Sequence, residues 1–107
     1  MSKIYIAASY PRKKQAVLLA KKMRSEGHII VSQWHDLDEG YDKMMGMEDR
    51  AERDFQNIKE CDLFIEFTGD NLSHGGRHAE FGVALALGKE IKILGPREHV
   101  LHYLVEK

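Results

Sequence analysis

Glu80 stands inside the run Gly75-Gly76-Arg77-His78-Ala79-Glu80-Phe81-Gly82, which continues through Val83, Ala84, Leu85, Ala86 and Leu87 to Gly88-Lys89. Two glycines free the backbone ahead of a helix, a carboxylate falls in the expected first turn, and the turns behind it are almost wholly apolar. A helix amino terminus favours an ionised carboxylate, while burial raises its pKa and favours the protonated form. A poorly solvated carboxylate can act as a nucleophile or as the electrostatic partner of a cationic transition state. The plain alternative is a glutamate paired with Arg77 three residues earlier, an exposed contact of little energetic weight. Residue pattern gives the two readings equal weight.

Asp54 and Tyr5 are the candidate partners. Asp54 lies one position off the apolar stripe of its helix, at the border of core and solvent, and a surface pair with Arg50 is the simpler reading. Tyr5 points inward from a strand buried between helices, so its hydroxyl needs a partner, which a carboxylate such as Glu80 or a backbone group would supply.

The elements that must position these residues follow from periodicity. Lys3 to Ala8 reads as a strand, and Pro11 opens a helix running to Glu26 with Ala16, Leu19, Ala20 and Met23 on its apolar face. Gly27 is placed to cap it. His28 to Gln33 reads as a second strand and Trp34 to Asp42 as a loop. A helix from about Asp42 to Glu60 carries a stripe of Met44, Met47, Ala51, Phe55 and Ile58. Asp62 to Phe67 is the third strand, Thr68 to Gly76 a polar loop, and Glu90 to Leu94 the fourth strand after Gly88 ends the last helix. The tail, Arg97 to Lys107, has an apolar cluster (Val100, Leu101, Tyr103, Leu104, Val105) compatible with a short helix or an extended run.

Strands alternating with helices imply right-handed crossovers onto a parallel sheet. The expected fold is a small, single-domain α/β chain over residues 1–107. It is Rossmann-like (flavodoxin-like), a three-layer sandwich of four strands in the order 2-1-3-4, or five if the tail adds one. Ligands of such sheets bind beyond the carboxyl ends of the strands. Ala8–Arg12, Trp34–Tyr41, Thr68–Arg77 and Gly95–Arg97 meet there. Ser9, Arg12 and Arg77 near helix starts suit a phosphate or carboxylate, or are simply solvated. Trp34 can stack on a planar base or close the core. Thr68, His74 and Gly76 lie on the same substrate-facing edge.

Several functions are disfavoured. The net charge of −1 is spread along the chain, which gives no footprint for polymeric nucleic acid or an anionic membrane. Cys61 is the lone cysteine, so an internal disulfide and a cysteine-rich zinc site are excluded. No apolar run reaches membrane-spanning length and Met1-Ser2-Lys3 leads into a strand, so a cytoplasmic setting is expected. The turn Ala8-Ser9-Tyr10-Pro11-Arg12-Lys13 has no glycine, against a dinucleotide fingerprint, and a phosphate-cradling Walker loop is lacking. Metal readings are weak. His74 and His78 are separated by two glycines, and the His35–Gly40 stretch has its glycine a position early and Met47 where a calcium loop needs glutamate.

The segments together resemble the nucleoside 2-deoxyribosyltransferase family, with its related 2'-deoxynucleoside 5'-monophosphate N-glycosidases. The resemblance runs from Lys3 to Leu94. It rests on Ile4-Tyr5-Ile6, on Arg53-Asp54-Phe55-Gln56-Asn57-Ile58 leading through Cys61-Asp62, and most specifically on Gly76 to Lys89. It implies that Glu80 is the nucleophile, Asp54 the acid/base or base-positioning aspartate, and Tyr5 the hydroxyl that orients the glutamate. It also implies a cofactor-free reaction at the N-glycosidic bond of 2'-deoxynucleosides or their monophosphates, and a homo-oligomer. His74 stands where transferases of the family often have an aspartate. Fuller members also extend beyond the fourth strand. Ser9 and Arg12 are placed to resemble the phosphate-binding serines and arginine of the hydrolase branch. The rivals are a non-catalytic nucleotide-binding or sensing module and a phosphoribohydrolase acting on ribose compounds.

Overall fold

A computed structural model describes residues 1–36, 46–70 and 76–105 of the chain. Strand β1 (Lys3–Ala7) leads through a single 3-10 turn (Tyr10–Arg12) into helix α1 (Lys13–Ser25), then strand β2 (Ile29–Ile30) and helix α2 (Met47–Glu60). Strand β3 (Leu63–Phe67), helix α3 (Gly76–Ala86), strand β4 (Glu90–Leu94) and a 3-10 turn (Val100–Leu104) complete the order. All the pairings are parallel and the sheet order is β2-β1-β3-β4, as the alternation of elements requires. Among the described residues the tail forms that 3-10 turn and adds no strand.

Helix α1 approaches the sheet through Ala16 and Ala20, both fully buried, while Leu19 and Met23 flank them. Small side chains at these positions let the helix lie close to the strands. The second strand is shorter than the expected run from His28 to Gln33. Its ladder is taken over by side chains: Ser32 Oγ accepts from the Ile6 N–H at 3.1 Å, and the Trp34 indole N–H donates to the Ile6 carbonyl at 2.7 Å. The outer backbone groups of β1 are thereby satisfied without a longer β2.

Helix α2 corrects another expectation. Ile58 is buried, but Met47 is 78% and Phe55 48% exposed, and Ala51 is exposed as well. Only the last turns of the helix pack against the core, so the amino-terminal part of the apolar stripe borders a cleft. Met44 and the expected start near Asp42 lie outside the described residues. In the tail, Val100, Leu101, Tyr103 and Leu104 are exposed while His102 and Val105 are buried. Of the two forms open to the tail the structure takes the short helix, a 3-10 turn whose apolar residues face outward except Val105, while a histidine goes in.

Tyr5 and Phe64 are register partners on β1 and β3, and their rings stack at 5.5 Å on the face that α2 and α3 cover. The carboxyl ends of β3 and β4 meet at Gly95, whose φ of +133° disfavours any side chain. A Cβ there would come within 2.8 Å of the Thr68 carbonyl oxygen. Gly95→Ala is therefore expected to lower stability by roughly 1–3 kcal/mol in denaturant unfolding. Gly82→Ala, inside α3 with open space around the new methyl, is expected to raise it by about 0.5–1 kcal/mol.

Candidate functional site

A cleft of about 660 Å³ opens at the carboxyl edge of the sheet between α2, α3 and the loop after β1. Glu80, Asp54, Ser9, Trp34, Gly76 and Arg77 all line it. Tyr5 lies beneath, fully buried, and its hydroxyl donates to Glu80 Oε2. Three residues far apart in sequence are thus brought to one place. Helix α3 begins at Gly76, which leaves its first turn without an acidic residue and Glu80 one turn further in than expected. The helix-terminus effect fades beyond the first turn, so burial decides the balance.

Glu80 is pushed up to about 8. Burial is the main cause. The Tyr5 hydrogen bond opposes it, the charges of Asp54 and Glu66 add to it, and Arg53 opposes it. At neutral pH the unliganded cleft therefore holds Glu80 mostly protonated. The Tyr5 hydroxyl is raised too, by burial and then by the Glu80 and Asp54 charges, and so remains a donor. Asp54 is half-buried and accepts from Arg53, Nε at 3.0 Å and Nη2 at 2.9 Å. Both nitrogens converge on Asp54 Oδ1. Asp54 thus takes the neighbouring Arg53, and the i−4 candidate, Arg50, lines the same cleft.

Ser9 and Arg12 come together as well, but around a carboxylate of the chain. Asp70 Oδ2 accepts from Ser9 Oγ at 3.2 Å and from Arg12 Nη1 at 3.0 Å. Arg12 also donates to the Thr68 carbonyl at 3.0 Å and lies over the Phe67 ring. Thr68 itself is buried, with its hydroxyl donating to the Pro96 carbonyl at 2.7 Å. It joins the ends of β3 and β4 rather than facing the cleft. Trp34 is 7% exposed and anchored by its indole N–H, so it closes the cleft wall with only its outer edge accessible. His74 lies outside the described residues.

Arg77 is buried and turns away from Glu80. Its Nη1 reaches Glu66 Oε2 at 2.9 Å and Glu98 Oε1 at 2.6 Å. The other Glu66 oxygen meets His102 Nε2 at 2.8 Å. The tautomer follows from the opposite ring nitrogen. The Glu98 N–H donates to His102 Nδ1 at 2.9 Å, so the ring proton sits on Nε2 and donates to Glu66. Burial raises Glu66 against the pull of Arg77 and lowers His102, which keeps that imidazole neutral. Residue pattern gave no hint of Glu66: a glutamate in the strand Asp62-Leu-Phe-Ile-Glu-Phe reads as an outward residue of an alternating run. Asp70 and Glu98 were equally hidden, because each lies in a polar loop.

His78, His99 and His102 offer ring nitrogens within 4.8 Å of one another. Both nitrogens of His102 are engaged, and the His99 and His102 rings stack at 3.7 Å. Stacked imidazoles direct their in-plane lone pairs side by side instead of toward a common point. The cluster therefore serves as packing beneath the tail.

No family model and no curated protein matches the chain. Solved structures do. The CMP N-glycosidase BcmB of Clostridium botulinum superposes with a TM-score of 0.64 at 29% identity, over 85% of this chain and 69% of its own. A 2-deoxyribosyltransferase from the psychrotolerant bacterium Bacillus psychrosaccharolyticus superposes with a TM-score of 0.67 over 96% of this chain and 79% of its own. Its identity of 24% attests the fold alone. The first match supports the resemblance to the nucleoside 2-deoxyribosyltransferase family read from the sequence, and the second supports its fold.

The buried charges make a direct test of the architecture. Arg77→Leu leaves Glu66 without its cation and is expected to cost about 3–5 kcal/mol in denaturant unfolding. Adding Glu66→Leu should recover much of that loss, since a buried pair replaced by apolar groups costs far less than a broken one.

Proposed function

We propose that this chain cleaves or transfers at the N-glycosidic bond of nucleosides or their 5'-monophosphates, through a covalent glycosyl–Glu80 intermediate. The observation that carries this reading is the sheltered Glu80 carboxyl, held by the Tyr5 hydroxyl in the cleft that Asp54 also lines. Cleavage of such a bond builds positive charge on the sugar, which a close carboxylate stabilises and then captures at C1'. The departing base takes a proton from Asp54, which is a carboxylate in the resting cleft and is the proposed acceptor of the proton that Glu80 gives up before attack. Water or a second base then attacks C1', and Glu80 is released as a carboxylate.

The proton that burial leaves on Glu80 must depart before attack. Tyr5 assists, because its hydrogen bond to Glu80 favours the ionised form. A developing sugar cation favours it further. Binding a cationic or cation-developing sugar and ionising the nucleophile are thus coupled, and an empty cleft keeps the carboxyl idle.

Hydrolysis of a monophosphate is the branch favoured by the 29% identity with a CMP N-glycosidase. That neighbour also brings ribose substrates within the test. Base release should be measured from deoxynucleosides, ribonucleosides and the monophosphates of each, with and without a second free base. Appearance of a new nucleoside identifies a transferase, and free sugar or sugar phosphate a hydrolase. Measurable binding with no base release from any of them would favour the sensing module.

Glu80→Gln and Asp54→Asn are each expected to lower kcat by roughly 10²–10⁴-fold. Undiminished turnover in Glu80→Ala would remove Glu80 from the reaction. Because kcat/KM reports the free enzyme, its rising limb should titrate near the Glu80 value of about 8.

Stability should carry the same signature. A carboxyl whose folded pKa lies above its ordinary value favours folding most fully below the ordinary value, and that contribution is lost as pH rises through the folded one. The melting temperature should therefore fall between about pH 5 and pH 9, and Glu80→Gln should flatten that part of the fall.

A further inference from the structure

Arg53 lies on the cleft wall beside Asp54 on α2, with its side chain only 10% exposed. A guanidinium withdrawn from water is costly unless it is paired. Arg53 brings Nε, at 3.0 Å, and Nη2, at 2.9 Å, to the same Asp54 oxygen, Oδ1. An ordinary fork gives one nitrogen to each oxygen of a carboxylate. This one places both on a single oxygen. The charge also reaches past Asp54. It opposes the effect of burial on Glu80 and on Tyr5, whereas the Asp54 charge adds to that effect in each. A solvated surface pair between neighbours would leave both of them untouched. Arg77, which lines the same cleft, is turned to Glu66 and Glu98.

Arg53 thus stands between two carboxyl groups that exchange a proton in the proposed reaction. An oxygen that accepts two N–H bonds is a poor place for that proton, so Asp54 carries it on Oδ2. The guanidinium itself gives up no proton and keeps its charge throughout.

We propose that Arg53 is a positioning residue of the site: bonded to Oδ1, it presents Asp54 Oδ2 to the proton that leaves Glu80 and then to the departing base. This inference rests on the proposed reaction. The proton leaves Glu80, binds Asp54 Oδ2 and passes to the base nitrogen as the C1'–N bond breaks and the Glu80–C1' bond forms. By then neither carboxyl group holds it. The Arg53 charge favours that course at both ends. It assists ionisation of Glu80 at the start, and it makes protonated Asp54 the readier donor at the close. The state it disfavours is the middle one, so the proton is handed on and not kept.

Glu80 is faced by Tyr5 from β1, Asp54 and Arg53 from α2 and Glu66 from β3, with Arg50 on the same cleft wall. Two variants separate charge from geometry. Arg53→Lys keeps the charge and loses the paired nitrogens, and Arg53→Gln loses both. Titration of the Glu80 carboxyl carbon by NMR in the unliganded chain, assigned against Glu80→Gln, needs no turnover. Arg53→Gln should move that titration to higher pH, and Arg53→Lys should leave it in place. With the substrate from which the wild type releases base fastest, Arg53→Lys should lower kcat roughly ten- to a hundredfold with KM little changed. Its rising limb of kcat/KM should stay where it was, while in Arg53→Gln the limb follows the Glu80 titration upward. A Glu80 titration unmoved in Arg53→Gln would overturn the proposal, as would wild-type kcat in Arg53→Lys. Either result beside base release by the wild type would remove the role of Arg53 alone. No base release by the wild type would overturn the reaction itself, and this role with it.

Discussion

The arrangement depends on one buried ion pair. Glu66 and Arg77, with side chains 0% and 2% exposed, meet where β3 ends and α3 begins. A charge in that position is tolerable only if it is paired and hydrogen-bonded. Glu66 spends its second oxygen on His102, and Arg77 reaches on to Glu98. Four segments (β3, α3, the turn after β4 and the tail) are therefore locked by the same few hydrogen bonds. The first turn of α3 is fixed by this lock, and Glu80 is carried one turn beyond it. The position of the candidate nucleophile is set by groups that take no part in the proposed chemistry.

The surrounding electrostatics are organised by depth. Around Glu66 the carboxylate is met by a cation, and the two are mutually sustaining. Around Glu80 the nearest named donor is a neutral phenol, and the nearby carboxylates of Asp54 and Glu66 both resist its ionisation. The same residue type is thus a structural anion on β3 and a mostly protonated acid on α3. Environment, not residue type, makes the difference.

Strand order and the meeting of Tyr5 with Glu80 were legible because they rest on local rules. Alternation of strands and helices dictates the crossovers, and a buried phenol needs a partner. Long-range polar satisfaction was not legible. Nothing in the spacing of Ser9, Arg12 and Asp70 announces that the aspartate will bridge the other two, since the bridge depends on how two loops pack. The shortening of β2 was hidden for the same reason: Ser32 and Trp34 replace backbone partners with side chains, which periodicity does not register. For α2 the periodicity was right and its meaning was not. An apolar stripe shows which residues share a face, and the surroundings decide whether that face meets a core or a cleft.

The anchoring of Trp34 has a consequence for observation. It is the only tryptophan in the chain, it is almost wholly buried, and its N–H is committed to β1 while its outer edge borders the cleft. Its emission therefore arises from a single, rigid position whose polarity changes chiefly when something replaces the water beside it. The chain carries its own optical gauge of occupancy, placed on the wall of the cavity it would report.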